Sequence, residues 1–171
     1  VPYNVIQGNL LMTSDEIIFD SIHWKDNKGM HVVTGAIGLK NEKKLNLQIN
    51  SSNIRIENIL KAGNLPYEVT GWVDNDMTIT GTIDMPIIDG DIVARNGSVM
   101  GELFQSFSTH YSYKNGQLSL NNGMGNIYDS NILLHGNISS DALDLEVNLT
   151  NVDVRRILQK DSVDGKVTLH G

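Results

Sequence analysis

The chain has 171 residues, with 20 acidic and 13 basic side chains, a formal net charge of −7 and no cysteine. The acidic excess argues against a nucleic-acid partner, because affinity for phosphates comes mainly from Lys and Arg. The lack of cysteine excludes thiol catalysis, disulfides and cysteine-ligated zinc. Hydrophobic residues make up 40% of the chain, which is enough to build a core in one domain or in a short run of repeats.

Apolar and polar residues alternate along much of the chain, at 44–50, 77–80, 117–121, 143–149 and 166–169. Successive strand side chains point to opposite faces, so each segment would present one apolar and one polar face. Turn signals separate the segments, at 27–29, 74–76, 96–97, 115–116 and 121–123, and Asp89-Gly90-Asp91 is interpreted as a further turn. The pattern predicts an all-β protein with antiparallel strands about every 10 to 12 residues.

Helix is predicted at only two places. Residues 55–62 can form two turns that end before Gly63 and Pro66, and residues 153–160 share the same Ile-Leu pair. Both segments are interpreted as short packed connectors between strands.

Glycine recurs inside the strand-like runs, as at Gly35, Gly71, Gly81 and Gly136. A glycine inside a strand usually marks a bend or a bulge that curves the sheet. The alternative is that these glycines start hairpins.

The sequence also contains an internal duplication. Residues 45–60 align without a gap on 143–158, and upstream Ile17, Phe19 and Gly35 correspond to Leu118, Leu120 and Gly136. We interpret residues 1–171 as a fragment of a repeat array with a unit of about 100 residues, in which 16–71 and 117–171 are related. The alternative is chance similarity between β-rich segments.

No known catalytic signature appears in the chain. There is no Gly-x-Ser-x-Gly elbow, no phosphate-binding Gly-rich loop and no His-Glu-x-x-His, and the five histidines lack metal-ligand spacing. Asp74-Asn75-Asp76 resembles the start of a calcium loop, but Met85 stands where the glutamate ligand is needed. We therefore expect a protein that is not an enzyme and has neither a metal nor a cofactor.

The apolar face itself is mostly aliphatic. Aromatic residues make up 6% of the chain, which argues against a carbohydrate-binding surface built from exposed rings. An aliphatic face suits an acyl chain, and equally the closed core of a structural or adhesive β-solenoid spacer. The residues alone leave both interpretations open.

Residues 69–73, 79–92, 116–120 and 133–138 combine hydrophobic-x-Gly strand pairs with a Pro-hydrophobic-hydrophobic-x-Gly-x-Ile step. In this the chain resembles the AsmA-like superfamily, in particular the C-terminal β-domains of its translocation and assembly module members. The resemblance covers residues 16–171. It implies a long curved antiparallel sheet that forms a half-pipe (β-taco) with a hydrophobic groove.

The resemblance also implies a function. The chain would be a periplasmic bridge segment of an inner-membrane-anchored protein of a diderm bacterium, carrying phospholipid acyl chains between the inner and outer membranes, supporting outer-membrane protein assembly, or both. The membrane anchor, and the segment that would dock an outer-membrane β-barrel partner, are expected outside this sequence. The residues expected to line the groove are Ile17, Phe19, Leu45, Leu47, Ile49, Ile79, Ile83, Leu118, Leu120, Leu143, Leu145, Val147, Val167 and Leu169.

Overall fold

The structure is a computed structural model that describes residues 6–26, 29–40, 42–62, 68–99, 101–127 and 130–150. It contains one helix and ten strands. The strands are β1 (Ile6–Met12), β2 (Glu16–Asp26), β3 (Gly29–Gly38), β4 (Leu45–Arg55), β5 (Val69–Gly81), β6 (Pro86–Val99), β7 (Glu102–Lys114), β8 (Gln117–Ile127), β9 (Ser130–Ile138) and β10 (Leu143–Thr150), and the helix α1 (Ile56–Ala62) follows β4. The predicted all-β class is confirmed.

The ten strands form one open sheet in chain order, from β1 at one edge to β10 at the other, and every pair is antiparallel. The Asn115-Gly116 turn joins β7 to β8, and both residues have positive φ, at 52° and 79°. Positive φ at both central positions is what a tight hairpin turn requires. The turn predicted at 115–116 is therefore confirmed.

Four other turn predictions are wrong. Residues 74–76 lie inside β5, residues 89–91 and 96–97 lie inside β6, and residues 121–123 lie inside β8. Both segments pair with a neighbouring strand without a break in register, residues 74–76 with β6 and residues 89–91 with β7, so the strand does not end there. Asn96 and Asn122 have the positive φ of turn residues, at 49° and 52°, but they use it within a strand. Residues 27 and 28 of the turn predicted at 27–29 lie outside the described residues, so that turn stays a prediction.

Positive-φ residues lie inside eight of the ten described strands. They are Gly8, Ser21, Gly35, Asn53, Gly71, Asn96, Asn122 and Gly136. Breaks in strand register accompany many of them, as between Phe19 and Ile22 and between Leu120 and Gly123. A bulge bends its strand and increases the local twist, so the curvature of the sheet is distributed over most of its strands and uses asparagine and serine as well as glycine.

One face of the sheet is crowded at its glycines. A Cβ atom on Gly90 would lie 2.8 Å from the Met77 Cβ, and one on Gly123 would lie 2.9 Å from the Leu134 Cβ. Opposed Cβ atoms on neighbouring strands are ordinarily about 4.5–5.5 Å apart. The strands therefore converge on this face, as expected for the inner side of a bent sheet.

Two strand triplets have the same local geometry. Gly35 lies between Phe19 and Leu47, and Gly136 lies between Leu120 and Leu145. The two glycines have φ of 117° and 150°, and a Cβ there would lie 2.9 Å and 2.8 Å from the Cα of the following leucine. These are the residues that the sequence alignment equates, whereas the duplication itself stays a prediction, because residues 151–171 lie outside the described residues.

Close packing is confined to one part of the sheet. Among the described residues, the buried hydrophobic side chains are Val73, Ala94 and Phe104, and α1 adds Ile56 to this cluster. The helix predicted at 55–62 is confirmed as α1, and residues 153–160 lie outside the described residues. The core thus lies on β5, β6 and β7 beneath the helix, and the rest of the sheet has no comparable cluster in the described part.

Candidate functional site

An apolar row crosses the whole sheet on its inner face. Each member is the direct cross-strand partner of the next, so their side chains share one face. The row consists of Leu10, Phe19, Gly35, Leu47, Ile79, Ile88, Tyr113, Leu118, Ile138 and Leu143, one from each strand. We call it the apolar row.

A second row runs beside it on the same face. It consists of Ile22, Val33, Ile49, Met77, Gly90, Tyr111, Leu120, Gly136 and Leu145, from β2 to β10. Residues two apart along a strand lie on the same face, about 6.8 Å from each other. The two rows therefore form a nearly continuous apolar strip across the sheet.

Most of the residues expected to line a groove lie on this face. Five of them belong to the apolar row and three to the second row, while Ile17, Leu45 and Val147 lie on the same face beside these rows. Ile83 lies in the turn between β5 and β6, is 50% exposed and belongs to neither row. Val167 and Leu169 lie outside the described residues.

The structure adds residues that the sequence patterns did not single out. Ile88 and Ile138 belong to the apolar row, and Met77 and Tyr111 belong to the second row. The signal for Ile88 was present, because Ile88-Asp89-Gly90-Asp91-Ile92 keeps strand alternation. Interpreting its centre as a turn hid that signal.

The apolar row is open to solvent. Its members on β2 to β9 are partly buried, whereas Leu10 and Leu143 on the two outer strands are 57% and 70% exposed. All ten strands belong to one sheet, and each packs against its sequence neighbours, so no second sheet covers this face in the described ranges. Within the part of the chain that the structure describes, the strip is accessible to an apolar ligand.

Between these two rows the opposite face of the sheet is polar from β3 to β10, although it carries apolar side chains elsewhere, such as Leu11, Ile18 and Val93. Its corresponding row is Thr34, Gln48, Thr78, Asp89, Ser112, Ser119, Asn137 and Asp144, from β3 to β10. No member of this row is apolar, so this part of the outer face suits water. The contrast explains why the strands alternate so regularly in sequence.

A short polar band interrupts the inner face beyond the second row. His31, Ser51, Asn75 and Thr109 lie there on β3, β4, β5 and β7, with Ile92 between the last two. We call these four residues the polar band. Ser51 and Thr109 are only 9% and 7% exposed. Buried polar groups of this kind need hydrogen-bond partners to avoid a desolvation cost.

Hydrogen bonds hold the polar band in place. His31 Nδ1 and the Ser51 hydroxyl lie 2.9 Å apart, and the His31 ring stacks on Trp24 with centroids 4.6 Å apart. The Thr109 hydroxyl donates to the carbonyl oxygen of Asn121 at 3.1 Å. These contacts fix the orientation of the polar side chains within an apolar surface.

Tyr111 connects the apolar strip to the polar band. Its ring belongs to the second row, and its hydroxyl donates to Asn75 Oδ1 at 2.9 Å. Burial raises the pKa of the Tyr111 hydroxyl above its ordinary value, and the nearby Asp89 and Asp91 charges act in the same direction, against the opposing effect of the Asn75 hydrogen bond. The phenol is therefore held in its neutral, hydrogen-bonding form.

Asp74 anchors the bulge of β4. Its Oδ1 accepts a hydrogen bond from the backbone N–H of Asn53 at 2.9 Å, and its Oδ2 accepts one from Arg95. Burial tends to raise the pKa of the Asp74 carboxyl, but the Asn53 and Arg95 contacts outweigh it and hold that pKa below its ordinary value. The carboxylate thus fixes the left-handed residue at which β4 bends.

The described residues offer neither a candidate metal site nor a membrane-spanning helix. Within the described ranges, no group of three or more His, Asp or Glu side chains is placed to hold a metal ion. The helix in this part of the chain is too short to cross a membrane. No protein-family model, curated protein or solved structure matches the chain.

Proposed function

We propose that the inner face binds acyl chains of phospholipids, and that the chain is a periplasmic bridge segment between the inner and outer membranes of a diderm bacterium, related to the AsmA-like superfamily. The observation that supports this most directly is the apolar row, which crosses ten strands on a face that no second sheet covers within the described ranges. The proposal assigns no catalytic step to the chain.

The dimensions of the strip suit a track. Ten strands with neighbours about 4.8 Å apart give a row about 43 Å long. One leaflet of a bilayer holds acyl chains within about 15 Å, so the row exceeds the length of a single chain. Each buried methylene contributes about 0.8 kcal/mol. A row made mainly of aliphatic side chains offers this gain at many positions, which favours sliding over binding at one fixed position.

The outer face supports the same interpretation. Its polar row suits water, while the inner face offers hydrocarbon contact. A phospholipid bound this way would bury its tails against the sheet and keep its head group in solvent. This matches the division between a polar and an apolar face that the sequence alternation produces.

A role in outer-membrane protein assembly belongs to the same proposal. It would act through an outer-membrane β-barrel partner, docked by a segment outside this sequence. The solenoid alternative is less favoured, because the coils of a solenoid stack as parallel strands, whereas every described pair is antiparallel and sequential.

The proposal is tested by native purification of the chain after export to the bacterial periplasm, followed by solvent extraction and lipid mass spectrometry. We expect phospholipid to accompany the folded protein in stable proportion. A matched sample of the chain with Leu47→Asp and Ile79→Asp should carry much less. Recovery of no phospholipid from well-folded unmodified chain would contradict the proposal.

A further inference from the structure

We propose that the polar band recognises the ester linkages of an acyl glycerolipid whose tails lie in the neighbouring apolar rows. This inference rests on the proposed function and names the part of the ligand that one region of the site would contact. It makes the inner face selective for esterified lipid over plain hydrocarbon.

The placement of the band supports this assignment. The second row contributes Ile49, Met77 and Tyr111 on β4, β5 and β7, and the polar band contributes Ser51, Asn75 and Thr109 on the same strands. The two lines are therefore about 6.8 Å apart on one face. A tail in the second row would bring its own ester group within reach of the band.

The chemistry of the band suits a carbonyl oxygen. An ester accepts hydrogen bonds and donates none, so its site needs donors. The Tyr111 hydroxyl donates a hydrogen bond to Asn75 Oδ1. The Asn75 amide nitrogen makes no hydrogen bond with any residue that the structure describes. Tyr111 thus holds the amide group through its oxygen, which leaves the two N–H donors of Asn75 for a ligand. On the adjacent strand the Ser51 hydroxyl already lies 2.9 Å from His31 Nδ1, so the Asn75 amide supplies the donors.

A purely structural role would not require this arrangement. Leucine or valine at Ser51 and Asn75 would extend the apolar strip and avoid the cost of burying polar atoms. The Tyr111 contact also joins β7 to β5 over the intervening strand, so it lies in the space above the sheet rather than within its backbone ladder. Polar side chains in the band are explained if the ligand places a polar group, such as an ester, against them.

The test compares two fluorescent probes with equal chain length, a pyrene-labelled diacyl phosphatidylglycerol and a pyrene-labelled alkane. In Asn75→Leu and in Tyr111→Phe, we expect the Kd of the diacyl probe to rise about five- to tenfold and that of the alkane to stay within about twofold. Thr78→Val, on the outer face of β5, is the matched control and should change neither value.

The outcomes separate the two proposals. Equal weakening of both probes, or no change in either, would overturn the role of the polar band while leaving acyl binding intact. Failure of the unmodified chain to bind either probe would overturn the proposed function together with this inference. Tyr111→Phe removes a single oxygen, so it keeps the test valid if Asn75→Leu does not fold.

Discussion

The Tyr111 hydroxyl donates a hydrogen bond to Asn75 Oδ1 at 2.9 Å and thereby links β7 to β5 across Gly90 of the intervening β6. Gly90 is the direct cross-strand partner of Tyr111 and places no side chain between β7 and β5. The absence of a side chain at one position therefore allows a contact between strands that are not neighbours. The same contact joins the apolar strip to the polar band.

Tyr111→Phe should lower the free energy of unfolding by about 1 kcal/mol, because one partly buried hydrogen bond is lost. The effect should also depend on pH. The pKa of Tyr111 is raised in the folded state, so the stability it contributes is complete below the unfolded pKa of about 10 and is lost as pH rises through the folded value. Urea unfolding between about pH 8 and pH 11 measures both effects.

If Tyr111→Phe shows the same alkaline decline in stability as the unmodified chain, the decline comes from other groups. A loss of stability at pH 8 close to zero would show that the Asn75 contact contributes nothing.

Gly90→Ala should destabilise the sheet by about 1–3 kcal/mol, since its Cβ would lie 2.8 Å from the Met77 Cβ and the strands must separate to accept it. Gly116→Ala is the matched control, because nothing lies within 4 Å of its Cβ position and only its positive φ opposes alanine. Denaturant midpoints compare the two variants. A smaller loss at Gly90 than at Gly116 would contradict the crowding of the inner face.

Gly35→Ala and Gly136→Ala should destabilise the protein by similar amounts, about 2 kcal/mol or more, because both positions combine positive φ with a close backbone on the next strand. The measurement is the free energy of unfolding of each variant from urea titration. A cost at one glycine and none at the other would show that the two triplets differ energetically despite their shared geometry.

Asp74→Ala should cost about 1–2 kcal/mol through loss of the Asn53 N–H contact. The Arg95 contact should add little, because both side chains are partly exposed. Asp74→Asn keeps an acceptor oxygen and should cost less. Asp144→Asn on the outer face of β10 is the control for removal of one negative charge.

The contribution of Asp74 to the free energy of unfolding should decrease in acid. Its pKa is depressed in the folded state, so its contribution is complete above the unfolded value of about 4 and is lost as pH falls through the lower folded value. Unfolding curves from about pH 6 to pH 2.5 should show the unmodified chain and Asp74→Asn converging. A constant difference across this range would contradict the assignment.

The sequence predicted the fold class because strand alternation is a local pattern that needs no knowledge of the partners. The same pattern placed Leu47, Leu120 and Leu145 on one face. The turn signals were wrong at Asp89-Gly90-Asp91 and at Asn96-Gly97, where residues typical of turns lie inside strands. Asparagine with positive φ serves a bulge as well as a turn, and only the pairing of the next strand distinguishes the two.

The polar band was beyond sequence reasoning for a different reason. His31, Ser51, Asn75 and Thr109 are widely separated along the chain, and their alignment depends on the register of four strand pairs. A shift of one residue in any pair would move a side chain to the other face. The duplication carried no information about register either, since Asn75 and Thr109 lie between its two copies.

The most direct test of the central claim places a charge on the apolar row and on the outer face of the same strand. Binding of a pyrene-labelled diacyl phospholipid is measured for Leu47→Asp and for Gln48→Asp, with the free energy of unfolding of each. We predict that Leu47→Asp weakens binding at least tenfold while losing less than about 2 kcal/mol of stability, because its side chain already meets solvent, and that Gln48→Asp binds normally. A loss of several kcal/mol in the free energy of unfolding of Leu47→Asp would contradict an open acyl-binding face, and so would equal binding of the phospholipid by both variants.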